Sequence, residues 1–322
     1  MSEVKWGSKP YYAFDEYCRR VYGEKVYKIA INIGCTCPVR DGTIHSDGCI
    51  FCSAGGSGEF AVAGSGSTDL TEQLEEGKNR IHEKYNGQKF IAYFQPFTNT
   101  YGDPEYLRAC YLSALSDEEV VGISIATRPD CLGPEICEVL SEVQQTYPNK
   151  SLWIELGLQT IHRETIQYIR RGYENSVFED AVHRLHEMHI PVIVHVILGL
   201  PGEDRDHILS TIEYLNTFPI FGVKLQLLHV LVDTDLAKDY TDRKFETLTR
   251  SEYVRLVIDC LEHLSPEIVI HRLTGDGPRN LLIAPTWSTD KKNILNQLLK
   301  EMKLSESYQG KYYSGDKPLQ TI

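Results

Sequence analysis

Seven short apolar runs recur along the chain: VYKIAINI (26–33), KFIAYFQ (89–95), VVGISIAT (120–127), SLWIELGL (151–158), PVIVHVILG (191–199), VKLQLLHV (223–230) and EIVIHRL (267–273). Each has the length of a strand, and most are rich in β-branched residues. The segments DLTEQLEEGKNRIHEKY, PEYLRACYLSAL, PEICEVLSEV, SVFEDAVHRLHEM and EDRDHILSTIEYL lie between them and carry helical periodicity. In the first, Asp69 and Glu72 have capping-box spacing, and Leu70, Leu74 and Ile81 share one face. Strand, helix, strand at this spacing predicts parallel strands joined by helical crossovers. Six such units fit a complete or incomplete β/α barrel better than half of a doubly wound sheet. We expect an α/β chain with a partial (β/α)6 TIM-type barrel over 26–275, an N-terminal extension over 1–25 and a C-terminal extension over 276–322.

The polar motifs fall at the ends of these strands. A cysteine-rich loop follows the first, QPFTNTYGD the second and TRPD the third; ELGLQT ends the fourth, GLPGED follows the fifth and LLHVLVDTD the sixth. In a β/α barrel the C-terminal strand ends share one face, where active sites are built. The arrangement points to an enzyme, although such loops are polar in any case.

The chain has 322 residues, of which 42% are hydrophobic, ample for one large core. No apolar run opens it and none is long enough to span a bilayer, so we read a cytoplasmic protein with no membrane partner. Reduced thiols are then the rule, and clustered cysteines mean metal or catalysis. A net charge of −12 argues against nonspecific coating of nucleic acid, yet residues 1–28 hold six Lys/Arg against four acids. These cations are either solvated surface or a local contact patch. The stretch GSGEFAVAGSGS lacks the G-K-[ST] of a phosphate loop, and there is no H-E-x-x-H.

Residues 35–52, CTCPVRDGTIHSDGCIFC, hold four of the nine cysteines. An odd total fits a disulfide framework poorly. Cys49 and Cys52 form a C-x-x-C, which lets one turn present two sulfurs to one centre. Cys35, Cys37, Cys49 and Cys52 together make a possible closed zinc site. In extended chain, however, Cys35 and Cys37 point to opposite sides. With only one of them facing inward, three cysteines would hold a four-iron cluster with one iron open. The spacing alone does not decide between zinc and iron–sulfur.

The loop CPVRDGTIHSDGCIFC, the run HVILGLPGED and the late HRLTGDGPRNLLIAP…W resemble radical S-adenosylmethionine (SAM) proteins over nearly the whole chain. More narrowly they resemble the YtqA/YhcC group, which is related to the Elongator catalytic subunit. The resemblance implies a radical SAM barrel in which Cys37, Cys49 and Cys52 ligate a [4Fe–4S] cluster, SAM chelates the fourth iron and Cys35 only packs. It assigns Gln95, Thr98 and Asn99 to the SAM ammonium region, although the glycine-rich turn of relatives is missing there. It sets Thr127, Asp130 and Gln159 near the ribose, and Arg171, from IRRGY, on the SAM carboxylate. His195 reads equally as a cofactor contact or a hydrogen-bonded core residue, and Glu155 as a helix-facing charge. Lys224, Gln226 and His229 on the sixth strand are the polar groups placed nearest the substrate.

The implied chemistry is reductive cleavage of SAM to a 5′-deoxyadenosyl radical, with an electron donor such as flavodoxin or ferredoxin. The implied substrate is tRNA, at the wobble uridine, whose 5-carboxymethylaminomethyl side chain would become aminomethyl. Lys5, Trp6, Lys9, Tyr11, Tyr12, Phe14, Tyr17, Arg19 and Arg20 would then suit phosphate contact and base stacking. The rival readings are a radical SAM enzyme for a peptide or small metabolite, and a non-catalytic zinc or Fe–S binding module.

Overall fold

Among the described residues, seven parallel strands form one sheet: β1 (Tyr27–Ile31), β2 (Phe90–Phe94), β3 (Val120–Thr127), β4 (Ser151–Gln159), β5 (Val192–Leu198), β6 (Gly222–Leu227) and β8 (Val269–Arg272), side by side in that order. A short antiparallel pair, β7 (Val230–Leu231) and β9 (Leu282–Ala284), stands apart. This computed structural model describes residues 6–56, 69–275 and 277–315. Lys5 of the basic N-terminal stretch and the glycine-rich GSGEFAVAGSGS beyond Gly56 lie outside the described residues.

The helices that cross between strands are α2 (Leu70–His82), α3 (Pro104–Ser116), α4 (Pro134–Thr146), α6 (Asn175–Glu187) and α7 (Arg205–Leu215), with α9 (Arg250–His263) before β8. Short α5 (Arg163–Tyr168) and α8 (Asp235–Thr241) interrupt two of the loops, and α10 (Lys291–Leu304) follows β9. Asp69 caps α2 by accepting from the backbone N–H groups of Thr71 and Glu72. Thr249 and Glu252 form a full capping box on α9. The predicted strands and the five predicted helices all form. The late EIVIHRL run adds a seventh strand beside β6, so the partial barrel has seven strands rather than six.

Strand periodicity divides the sheet into two faces. Phe90, Ala92 and Phe94, Leu152, Ile154 and Leu156, Val192, Val194 and Val196 face outward into the main hydrophobic core with the helices. The alternate residues face inward, and contacts between them show that the sheet is curled. Lys28 on β1 meets Glu155 on β4, and Lys224 on β6 meets Tyr93 on β2. Such chords cross only a concave face.

α1 (Phe14–Tyr22) plugs the lower end of that concavity. Its buried Cys18 clusters with Ile91, Trp153 and Ile193, which lie near the N-terminal ends of β2, β4 and β5. Phe14 stacks on His271 at 4.1 Å, and Tyr17 lies against Phe221. The N-terminal aromatics are thus not free for base stacking. Trp6, Tyr11 and Tyr12 are buried, Arg20 bonds the Tyr12 hydroxyl and Arg19 pairs with Asp15. The segment that looked like an RNA-binding arm is a plug at the end of the barrel away from the C-terminal strand ends. Its aromatic residues serve burial.

Candidate active site

The loop between β1 and α2 carries the cysteines over the C-terminal ends of the strands. Cys37, Cys49 and Cys52 line one pocket together with Gln95, Thr98, Thr127, Gln159 and His195. Cys35 does not; it is half-buried against the main core, and burial pushes its thiol up to about 12. The loop is held by its own backbone and by Arg40. That guanidinium donates to the carbonyls of Cys52, at 2.7 Å, and Ser53, and lies over the Phe97 ring. Gly48 has φ of 72°, a conformation that favours glycine, one residue before Cys49. A Cβ on Gly56 would come within 2.4 Å of the Phe97 ring.

The donor set suits an iron–sulfur cluster. Among the described residues, no three His, Cys, Asp or Glu side chains converge as ligands of a single ion. Three thiols spread around one pocket match a cluster, in which each sulfur takes a different iron. Thr98 donates its hydroxyl toward the Cys37 sulfur at 3.3 Å, the kind of contact that tunes a thiolate ligand.

The sequence motifs acquire definite local jobs. In ELGLQT, Glu155 points into the barrel, and Gly157 leaves room for the Gln159 amide: a Cβ there would stand 2.3 Å from the Gln159 side-chain nitrogen. Gln159 itself has φ of 63°, at a bulge against β5. The Tyr173 hydroxyl donates to the Gly157 carbonyl. In ATRPD, Arg128 forms a two-point pair with Asp130 at 2.9 and 2.7 Å. Its guanidinium lies 4.9 Å from the Tyr173 ring centroid, while Arg171 lies 4.4 Å from the same centroid. In GLPGED, the Glu203 carboxylate accepts from Thr160, and Asp204 caps α7.

Three of the residues expected to contact SAM are engaged with other partners in the structure. Arg171 is 1% exposed, and all five of its N–H groups are taken, by the carbonyls of Leu158, Thr160 and Tyr173 and by Asn175 Oδ1. It ties the β4 exit loop together and has no donor left for a carboxylate. Asn99 is likewise buried, its amide donating to the carbonyls of Phe94, Pro96 and Ala126. Asp130 spends its carboxylate on Arg128 and faces a different surface pocket, beside Cys131 and Ile136. Thr127 bonds Thr100 at 2.5 Å, yet still lines the cysteine pocket.

Beneath the pocket lies a charged layer centred on Glu155, which had read as a helix-facing charge. Its carboxylate accepts from Lys28 Nζ at 2.7 Å, Ser124 Oγ at 2.6 Å and His195 Nε2 at 2.7 Å, and from Lys224 Nζ. Burial opposes ionisation of Glu155, but Lys224, Lys28 and His195 overcome it and hold the carboxyl well below its usual range. Burial draws the Lys224 ammonium down against the attraction of Glu155. Burial, helped by the nearby Lys224 charge, also lowers His195 to about 4. Lys224 therefore sits in the layer under the pocket rather than on its lining. Gln226 and His229 do reach open space.

That space is a second cavity of about 460 Å³, contiguous with the first and containing no cysteine. Phe51, Gln95, Gln159, Gln226 and His229 line it, with Arg272 from the last strand. Arg272 was not singled out from the sequence, although it stands inside the quoted HRLTGDG motif.

Residues 31–215 match the family model of the Radical SAM superfamily, and residues 220–304 that of the Radical_SAM C-terminal domain. The chain belongs to the radical SAM superfamily. YtqA of Bacillus subtilis is 44% identical over 306 residues, covering 95% of this chain and 93% of YtqA. YhcC of Escherichia coli is 32% identical over 273 residues, covering 84% of this chain and 85% of YhcC. The solved Elp3 of Methanocaldococcus infernus superposes with a TM-score of 0.67, covering 88% of this chain and 64% of that one, at 15% identity, a likeness of fold. A weaker match is the tRNA uridine(34) acetyltransferase of Methanocaldococcus jannaschii, 22% identical over 191 residues, 58% of this chain and 34% of that protein. As a radical SAM enzyme the protein uses a [4Fe–4S] cluster and SAM, and requires a reductant. No helix among the described residues is long and apolar enough to cross a membrane.

Proposed function

We propose that Cys37, Cys49 and Cys52 hold the cluster and that the enzyme acts on the wobble uridine of tRNA, converting a 5-carboxymethylaminomethyl side chain to aminomethyl. Bound together, the cluster and SAM would supply 5′-deoxyadenosyl radical chemistry: loss of a hydrogen atom and of one electron, returned to the cluster, turns the N–CH2 carbon of the substrate into an imine, whose hydrolysis releases the two carboxymethyl carbons as glyoxylate and leaves the aminomethyl group. The chain's own residues then have positioning roles. Gln95, Thr98, Thr127, Gln159 and His195 surround SAM; Gln226 and His229 face the substrate. The Glu155 layer keeps that floor rigid and dry.

The observation that carries the reading is the second cavity. Its volume of about 460 Å³ lies within the range of small-ligand sites and suits a nucleoside. The Gln226 amide, with donor and acceptor, suits the hydrogen-bonding edge of a pyrimidine, while Gln95 and Gln159 stand at the border with the SAM side. Phe51 offers an apolar ring for a base turned out of its stack, as an anticodon loop allows at modest cost. The match to a tRNA uridine(34) acetyltransferase supports the same base in the same type of RNA. A flavodoxin or ferredoxin in the cytoplasm fits the need for one electron at a time.

Nucleoside mass spectrometry of tRNA from a strain lacking the gene tests this. Carboxymethylaminomethyluridine should accumulate and the aminomethyl-derived nucleosides should fall. An unchanged wobble profile, in a strain without a parallel route, would move the substrate to a peptide or small metabolite.

A further inference from the structure

Four arginines line the cysteine pocket: Arg40, Arg128, Arg171 and Arg272. Three are committed. Arg40 donates to two carbonyls of its own loop, Arg128 is paired with Asp130, and every donor of Arg171 is taken. Arg272 makes no hydrogen bond or ion pair among the described residues. It is half-buried on β8, in register with Lys224, and lines both the cysteine pocket and the cavity beside it.

The charge around it is not balanced. Among the described residues, Glu155 is the one acid on the lining of the cysteine pocket and no acid lines the second cavity; the two oxygens of Glu155 are shared among Lys28, Lys224, His195 and Ser124. A half-buried guanidinium with five N–H groups and no acceptor is a costly feature unless an anion completes it. Its planar fork fits a carboxylate at two points.

We propose that Arg272 anchors a carboxylate carried by the substrate, so that the enzyme selects an acid. The proposal rests on the nucleoside reading above and sharpens it, by naming what the base's side chain presents. The cavity with no cysteine is where that side chain would enter, and Arg272 stands at its junction with the cysteine pocket. The carboxylate of SAM is the other acid that the site receives, so the test separates the two.

The first measurement needs no RNA. N-ethylglycine and its uncharged amide are titrated into the reconstituted, SAM-bound protein and into R272Q and R272K, with binding read by calorimetry and folding by circular dichroism. The acid should bind the natural protein more tightly than the amide, and R272Q should lose roughly 10- to 100-fold of that preference, with R272K between them. Equal binding of acid and amide to the natural protein, or an undiminished preference in R272Q, overturns the proposal. SAM affinity is measured on the same samples; a comparable loss there in R272Q assigns the guanidinium to SAM and also overturns it. The second measurement uses an anticodon stem–loop bearing carboxymethylaminomethyluridine. A KM raised in R272Q with kcat nearly kept supports an anchoring role. Acid binding through Arg272 without any turnover of this RNA by the natural protein keeps the anchor and rejects the wobble-uridine substrate.

Discussion

At the residue scale, availability of a side chain differs from its identity. Arg171 and Arg272 are the same residue type in the same pocket, but only one has donors to give. Arg171→Ala would leave the carbonyls of Leu158, Thr160 and Tyr173 buried without partners. We expect a loss of about 3 kcal/mol or more in stability, measured by urea unfolding, rather than a selective loss of SAM affinity. Glu155→Gln would leave two ammonium groups on a weakened acceptor, and breaking such a buried pair typically costs about 3–5 kcal/mol. His195 gives a pH signature. Its folded value of about 4 lies below the unfolded value of about 6.5, so between these limits the unfolded chain binds more protons. The stability contributed by the neutral ring is complete above that window and is lost as pH falls through it. His195→Asn should flatten the stability–pH curve there, as read by urea melts across the window.

At the element scale, α1 and the segment before it changed role most. Read as sequence, the stretch mixes cations with aromatics, the composition of an RNA-binding arm. In the fold the aromatics close the barrel floor, and the cations are drawn onto them or onto nearby acids: Arg20 on Tyr12, Arg19 on Asp15, Lys9 over Tyr11 at 5.9 Å. Reversing Lys9 and Arg19 to Glu should therefore leave affinity for an anticodon stem–loop within about twofold, since the sites lie far from the strands' C-terminal ends and such charges are screened over about 10 Å. Filter binding at fixed salt measures this, and a collapse of affinity would restore the arm. The outer strand faces and α2, α3, α4, α6 and α7 were legible because each obeys a short-range period. α1, α5, α8, α9 and α10 were not recognised, although α9 carries a full capping box. The Glu155 layer escaped for another reason: its members come from β1, β2, β3, β4, β5 and β6, and no local pattern links them.

At the scale of the whole molecule, the sheet–helix core and the cysteine loop are largely separate. The main core draws on all seven strands, whereas the loop contributes Ile50 and Phe51 to a smaller cluster with Leu228, Val230 and Leu236. Removing the cluster should leave a cooperatively folded protein. Anaerobically reconstituted protein should hold about four iron per chain. Cys37→Ala, Cys49→Ala and Cys52→Ala should each lose it with little change in far-ultraviolet circular dichroism, while Cys35→Ala keeps it. Iron retained in any one of the first three would reassign the ligands. The sequence by itself determined the parallel barrel and marked the cysteine-rich loop, because alternating periods and a C-x-x-C are relations between near neighbours in the chain. Only the tertiary structure decided that Arg171 is consumed and Arg272 open, that Glu155 lies inside the barrel and that the basic N-terminus is its floor. Those outcomes depend on which distant groups meet when the sheet curls, and on whether burial leaves a charged or aromatic side chain any partner but the protein itself.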